Sequence, residues 1–353
     1  MEIDRSKPVL VTGGNGYIAS WIVKYLLEDG IDVHATVRDP KDDKKVGHLK
    51  AIAENAPGKL TLFKADLLED GVFDDAMAGC ELVMHTASPF VIMGIKDPQK
   101  ELVDPAVKGT RNVLTSATQT DSVKRVVLTS SVVGIYGDAV DIEQTENGVF
   151  TEEHWNTTSS VNHQPYNFSK VAAEKAAWEI ANGQNRWDML TINPGLVVGP
   201  SLTNASASGS FSTIKQFYNG SLKMGAPKME LGIVDVRDVA QAHIKAGFTP
   251  SASGRHICVS ESQSFLQIGK ILRKAFGDKY PFPRSEVPKF MVWLVAPMSG
   301  ITRPFVSKNV GYPLRFDNSY TRKDLGIEFR PAEESLVEFF QQLIDDGVVK
   351  DKR

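Results

Sequence analysis

The sequence predicts an α/β fold, a doubly wound parallel sheet with a smaller C-terminal lobe, and three observations carry that prediction. Short β-branched runs alternate with amphipathic stretches through the first half of the chain. A glycine-rich turn joins the first run to the first helical stretch, and the texture changes beyond residue 195. Strand–helix alternation needs crossover connections, which lay helices over both faces of a parallel sheet.

The elements follow in order. PVLVTG (8–13), IDVHATVR (31–38), KLTLFKAD (59–66), ELVMHTA (81–87) and KRVVLTSS (124–131) read as buried strands, short and bounded by turn or charged residues. Between them, 17–29 and 101–118 carry helical periodicity, and a sixth strand at 187–194 follows a helix over 166–182. Residues 1–194 are therefore expected to form the dinucleotide-binding type of sheet domain, with segments around 232–260 returning to it. Residues 195–353 should form mainly a substrate-binding lobe. Within that lobe SLTNASASGS (201–210) reads as a loop that is mobile or closes over a ligand. Asp235 and Asp238 stand in capping-box spacing before a helix over 234–248. RHICVS reads as a strand, and FLQIGKILRKAF and ESLVEFFQQLIDD as helices.

The bulk numbers exclude some classes. With 40 basic against 43 acidic residues the net charge is −3, so no nucleic-acid partner is expected. Cys80 and Cys258 both sit among apolar residues and read as buried thiols, with no disulfide and no metal site expected. MEIDRSKP is polar where a signal peptide needs an apolar core. The apolar run at 290–301, FMVWLVAPMSGI, is too short to span a bilayer and reads as a buried or partner-facing helix. The expectation is a soluble cytoplasmic chain without a membrane partner, a monomer or homodimer.

LVTGGNGYIAS leaves the first strand and opens the first helix, and Gly13, Gly16 and Ala19 fit the T-G-x-x-G-x-x-A spacing. Bare backbone can then approach a pyrophosphate, which meets the free N–H groups of a helix N-terminus around Tyr17 and Ile18. The alternative is a plain glycine turn. An NAD site usually carries an acidic residue at the end of the second strand. Here that position is Arg38, with Lys41, Lys44 and Lys45 close behind. A guanidinium can clamp a 2′-phosphate, which favours NADP(H).

Tyr166 and Lys170 stand four apart at the head of a helix pattern and so share a face. An ammonium beside a phenol is expected to lower the phenol's pKa toward a useful range. Ser130 and Ser131 end the fifth strand on the carboxyl edge of the sheet, where doubly wound folds bind ligands.

TGGNGYIA, TSS and Tyr166-x-x-x-Lys170 make the chain resemble an extended short-chain dehydrogenase/reductase of Rossmann type. HATVRDP, FKADL, MHTASPF, AEKAAWE, NPGLVVGP and DVRDVAQAH make it similar to the dihydroflavonol, cinnamoyl-CoA and aldehyde (methylglyoxal) reductase group. The resemblance implies that Ser131 hydrogen-bonds the substrate carbonyl, Tyr166 donates a proton, and Lys170 tunes Tyr166 and holds the nicotinamide ribose. It implies 2′-phosphate contacts from Arg38 and Lys45 and adenine contacts from Asp66 and Leu67. Thr86, Ala87 and Ser88 would line the cofactor's midsection, and Pro194 to Val197 would flank the nicotinamide. Asn112 matches a residue with either a helix-stabilising or a proton-relay role. By position Phe90, Tyr136 and His163 should face the substrate, though Phe90 and Tyr136 equally suit packing and His163 a loop.

The expected function is NADPH-dependent reduction of aldehyde or ketone groups on small apolar or aromatic compounds. The alternatives are a nucleotide-sugar epimerase or dehydratase, a hydroxysteroid dehydrogenase, and a non-catalytic dinucleotide sensor. Tyr136 and the segment 283–316 depart from the plant flavonoid enzymes and argue against flavonoid reduction.

Overall fold

The computed structural model describes residues 1–89, 95–203 and 209–352. In chain order the first half contains β1 (Val9–Thr12), α1 (Tyr17–Glu28), β2 (Val33–Val37), α2 (Asp43–Glu54), β3 (Leu60–Lys64), α3 (Asp74–Met77), β4 (Leu82–His85), α4 (Asp104–Gln119) and β5 (Arg125–Thr129). Then come α5 (Pro165–Asn182), β6 (Asp188–Pro194), β7 (Leu196–Val198), α6 (Gly209–Tyr218), β8 (Ala226–Pro227), β9 (Glu230–Asp235), α7 (Val236–Phe248) and β10 (Gly254–Cys258). The chain closes with β11 (Glu261–Ser264), α8 (Phe265–Phe276), β12 (Glu286–Val287), α9 (Lys289–Val295), α10 (Arg303–Asn309), α11 (Ser319–Leu325) and α12 (Ala332–Asp345).

Seven strands form one parallel sheet in the order β10-β6-β5-β4-β1-β2-β3. Successive side chains of a strand point to opposite faces, and the sheet's two cores sort by that parity. Val9, Val11, Leu82, Met84 and Val127 join α1 and α7 on one side. Leu10, Val83, Val126 and Leu128 join α4 and α5 on the other. Both faces of the central strands β1 and β4 are covered, so apolar residues fill both parities there. The order of strands reverses between β1 and β4, which makes the carboxyl ends of these two the switch point where such sheets bind ligands.

The C-terminal part has its own core, in which Phe217, Ile268, Leu272, Phe276, Phe339 and Phe340 close over Val198 and Ile233. A three-stranded sheet, β11-β9-β7, lies under it, while β10 returns to the edge of the main sheet beside β6. Cys80 and Cys258 are fully buried free thiols. No helix among the described residues is long and apolar enough to cross a membrane.

One expectation is corrected and another is narrowed. Asp235 does cap α7, accepting from the Arg237 amide at 2.8 Å, but Asp238 completes no capping box. Its carboxylate accepts instead from the Arg330 amide at 2.7 Å and pairs with that residue's guanidinium. Of the two readings of the apolar run 290–301, a buried or a partner-facing helix, the structure removes the buried one: Phe290 is 65%, Leu294 57% and Met298 89% exposed, and Ala296 is what turns inward. Its pattern is continuous rather than periodic, so nothing in it marks which face meets the core. Residues 204–208 of the polar loop expected at 201–210 lie outside the described residues.

Candidate active site

The carboxyl edge gathers the turns singled out in the sequence. After β1, Gly13 takes φ +65, and a Cβ there would meet Ala87 at 3.1 Å. The next glycine lies against β2, where a Cβ on Gly14 would come within 2.8 Å of the Ala35 methyl. Any side chain at either position would push the turn off the sheet, which accounts for the glycines physically. Gly16 caps α1 without a side-chain hydrogen bond, leaving backbone N–H groups at the helix start. Ala19 is buried in helix-to-sheet packing. Tyr17 donates its hydroxyl to Gly199 O, tying this helix to the segment after β7, and Ile18 packs on the same core.

Arg38 directly follows β2 and is exposed. Lys45 is also exposed, in the first turn of α2, with its ammonium 3.2 Å from Asp42. After β3, exposed Asp66 accepts from the Leu68 amide at 2.9 Å. Leu67 packs over Gly109 of α4, and its carbonyl accepts from Asn112 Nδ2 at 3.0 Å. Asn112 thus anchors the loop after β3 to a helix, a stabilising contact. After β4, Thr86 donates to Thr12 O at 2.5 Å, and the Ala87 amide donates to Thr12 Oγ1 at 3.1 Å. These bonds fix the β4 loop to the β1 turn across the switch point. His85 is buried and bonded to Thr12 Oγ1 at 2.8 Å, and burial pulls its imidazole down to about 3.

The two serines after β5 separate. Ser130 is buried and donates to Glu174 of α5. Ser131 is only partly buried; its hydroxyl lies 3.4 Å from Pro194 O and accepts from the Val133 amide. The turn it opens, 132–134, packs against α5. Along α5, Lys170 Nζ stands 5.6 Å from the centre of the Tyr166 ring and donates to Ser88 Oγ at 2.8 Å. That bond links α5 to the end of β4, beside the glycine turn. Burial lifts the Tyr166 phenol to about 12 and lowers the Lys170 ammonium to about 8. The expected downward pull on the phenol is therefore corrected: desolvation, which disfavours both charged forms, sets both shifts. Pro194 ends β6 and Val197 lies in β7, both buried.

The substrate-side candidates diverge. Tyr136 packs its ring on Phe150 at 5.1 Å and Phe316 at 5.7 Å, five residues beyond Ser131. His163 directs Nε2 to the Asp138 carboxylate at 2.7 Å. Phe90 lies outside the described residues.

Sequence reasoning missed the buried polar network behind this edge. Glu174 accepts from Ser130, from Asn193 at 3.1 Å and from Arg255 Nε at 2.7 Å. Arg255 also donates to the carbonyls of Glu152 and His154 and lies 3.9 Å over the Trp155 ring. This network pins α5 to β5, β6 and β10. Its one local signal was a charged pair, Glu174-Lys175, inside an otherwise alanine-rich helix.

Comparison with known proteins supplies the family. The family model described as "NAD dependent epimerase/dehydratase family" matches residues 9–259. The chain belongs to the NAD-dependent epimerase/dehydratase family. Among its relatives in this family, the cinnamoyl-CoA reductase CAD2 of Medicago truncatula is 40% identical over 338 residues, 95% of each chain. A putative anthocyanidin reductase of Ginkgo biloba is 40% identical over 80% of this chain and 85% of its own. Among solved structures, yeast methylglyoxal/isovaleraldehyde reductase Gre2, complexed with NADPH, superposes with a TM-score of 0.75 at 27% identity, covering 97% of this chain and 99% of that one.

Proposed function

We propose that this member of the epimerase/dehydratase family is an NADP-dependent oxidoreductase that reduces aldehyde or ketone groups on small apolar or aromatic molecules. The observation that supports this most is the placement of Lys170. It reaches from α5 to Ser88 at the switch point, carrying Tyr166 one turn away on the same helix. The residues present fit the dinucleotide. A left-handed Gly13 and a side-chain-free Gly14 expose backbone at an uncapped helix start, and Arg38 offers an exposed guanidinium at the end of β2. The turn at Gly13–Ile18 would hold the pyrophosphate, and Arg38 with Lys45 the 2′-phosphate. Asp66 and Leu67 would border the adenine, and Thr86–Ser88, Pro194 and Val197 the remainder. When bound, NADPH supplies the hydride.

The chain's own residues do the rest. Ser131 Oγ orients the carbonyl oxygen. Tyr166, protonated at neutral pH as a phenol is, donates its phenolic proton to the developing alkoxide. Lys170 then stands close enough to favour the phenolate left behind. Such preorganised donors act without reorganising as charge develops. Tyr136 and Phe316, partly buried and packed on the buried Phe150, make the region beyond Ser131 aromatic, which suits a planar or apolar substrate.

The test follows oxidation of NADPH with a panel of aldehydes, diketones, flavanonols and acyl-CoA thioesters, for the wild type and Tyr166→Phe. Tyr166→Phe should lower turnover by roughly 10²–10⁴-fold with NADPH affinity nearly unchanged. Persisting turnover in this variant, or turnover of nucleotide sugars alone, would refute the proposal.

A further inference from the structure

Asp138 is fully buried, and four side chains converge on its carboxylate. The donors are His163 Nε2 at 2.7 Å, Gln164 Nε2 at 2.7 Å, Asn309 Nδ2 at 2.7 Å and Lys308 Nζ at 3.3 Å. They come from two places. His163 and Gln164 immediately precede the helix that carries Tyr166, while Lys308 and Asn309 end α10 in the segment 283–316. Asn309 closes the arrangement by accepting from the Ala139 amide at 2.9 Å. Burial alone would raise the Asp138 carboxyl, but the hydrogen bonds from Asn309, His163 and Gln164 hold it below its usual value.

Gln164 needs holding. It sits at φ 54, ψ 56, a left-handed conformation that non-glycine residues seldom adopt. The following residue is Pro165, whose ring favours an extended conformation in the residue before it. The Gln164 side chain donates to both Gly137 O and Asp138, and Asn167 of the first helical turn donates to Gly137 O and Gln164 Oε1. The backbone direction that sets where α5 starts, and with it Tyr166, is thus held by contacts to the Gly137 carbonyl and to the buried Asp138 carboxylate next to it.

We infer that Asp138 is a positioning residue for Tyr166, holding Gln164 left-handed and tying the start of α5 to Asn309 of the 283–316 segment. The inference rests on the reading of Tyr166 as proton donor, and its test includes a readout independent of that reading. Asp138→Asn keeps the shape and removes the charge. Hydrogen exchange over 163–168 should accelerate roughly tenfold or more, because local opening becomes easier, with exchange in β5 unchanged. Turnover should fall roughly 10²-fold, as misplacement of a reacting group does, with NADPH affinity held. Adding Gln164→Gly should restore part of the turnover, since glycine accepts the left-handed conformation unaided. Unchanged exchange over 163–168 would overturn the inference, as would a turnover loss that Gln164→Gly leaves untouched. Should Asp138→Asn not fold, Asn309→Ala gives the same two readouts. Retained turnover in Tyr166→Phe would instead defeat the proton-donor reading and leave the exchange result to judge Asp138.

Discussion

Replacing Lys170 by methionine should stabilise the protein at neutral pH while ending turnover. Burial lowers the ammonium from 10.5 to about 8. At about 1.4 kcal/mol per tenfold change in protonation equilibrium, the fold gives up about 3 kcal/mol to keep this group charged at pH 7. Losing the Lys170–Ser88 hydrogen bond returns about 1 kcal/mol of that, so the net gain is about 2 kcal/mol. Between about 8 and 10.5 the unfolded chain binds more protons than the folded one, so this group makes wild-type stability rise with pH across that window. Methionine has no such rise, and the gap between the two proteins should close by about pH 10. Tyr166 acts with the opposite sign, above 10, and is present in both proteins. Urea unfolding of both proteins at the two ends of the window measures the difference. A methionine variant no more stable than wild type at pH 7, or a gap that persists at high pH, would refute the argument.

Glu174→Ala leaves the buried Arg255 guanidinium without its carboxylate and should cost about 3–5 kcal/mol in denaturant unfolding. Arg38→Asp should weaken NADPH binding and shift preference toward NADH, measured as the ratio of kcat/KM for the two cofactors; an unchanged ratio would place the phosphate clamp elsewhere.

What the sequence made legible was local. Strand parity and the glycine turn each lie within about ten residues, and Tyr166-x-x-x-Lys170 within one helical turn, so their geometry follows from backbone periodicity alone. What escaped it joins distant residues. Arg255 meets Glu174 across 81 positions, and Asn309 meets Asp138 across 171. Asp238 had the spacing of a capping box, but Arg330, 92 residues away, took its carboxylate. The depressed phenol expected from Tyr166 and Lys170 failed for the same reason, because burial is set by the whole fold and not by a four-residue spacing. The chemical groups of this site are thus written locally, while their protonation and placement depend on distant partners. Substitutions at Glu174 or Asp138 should therefore disturb catalysis without removing Ser131, Tyr166 or Lys170, the groups assigned the chemistry.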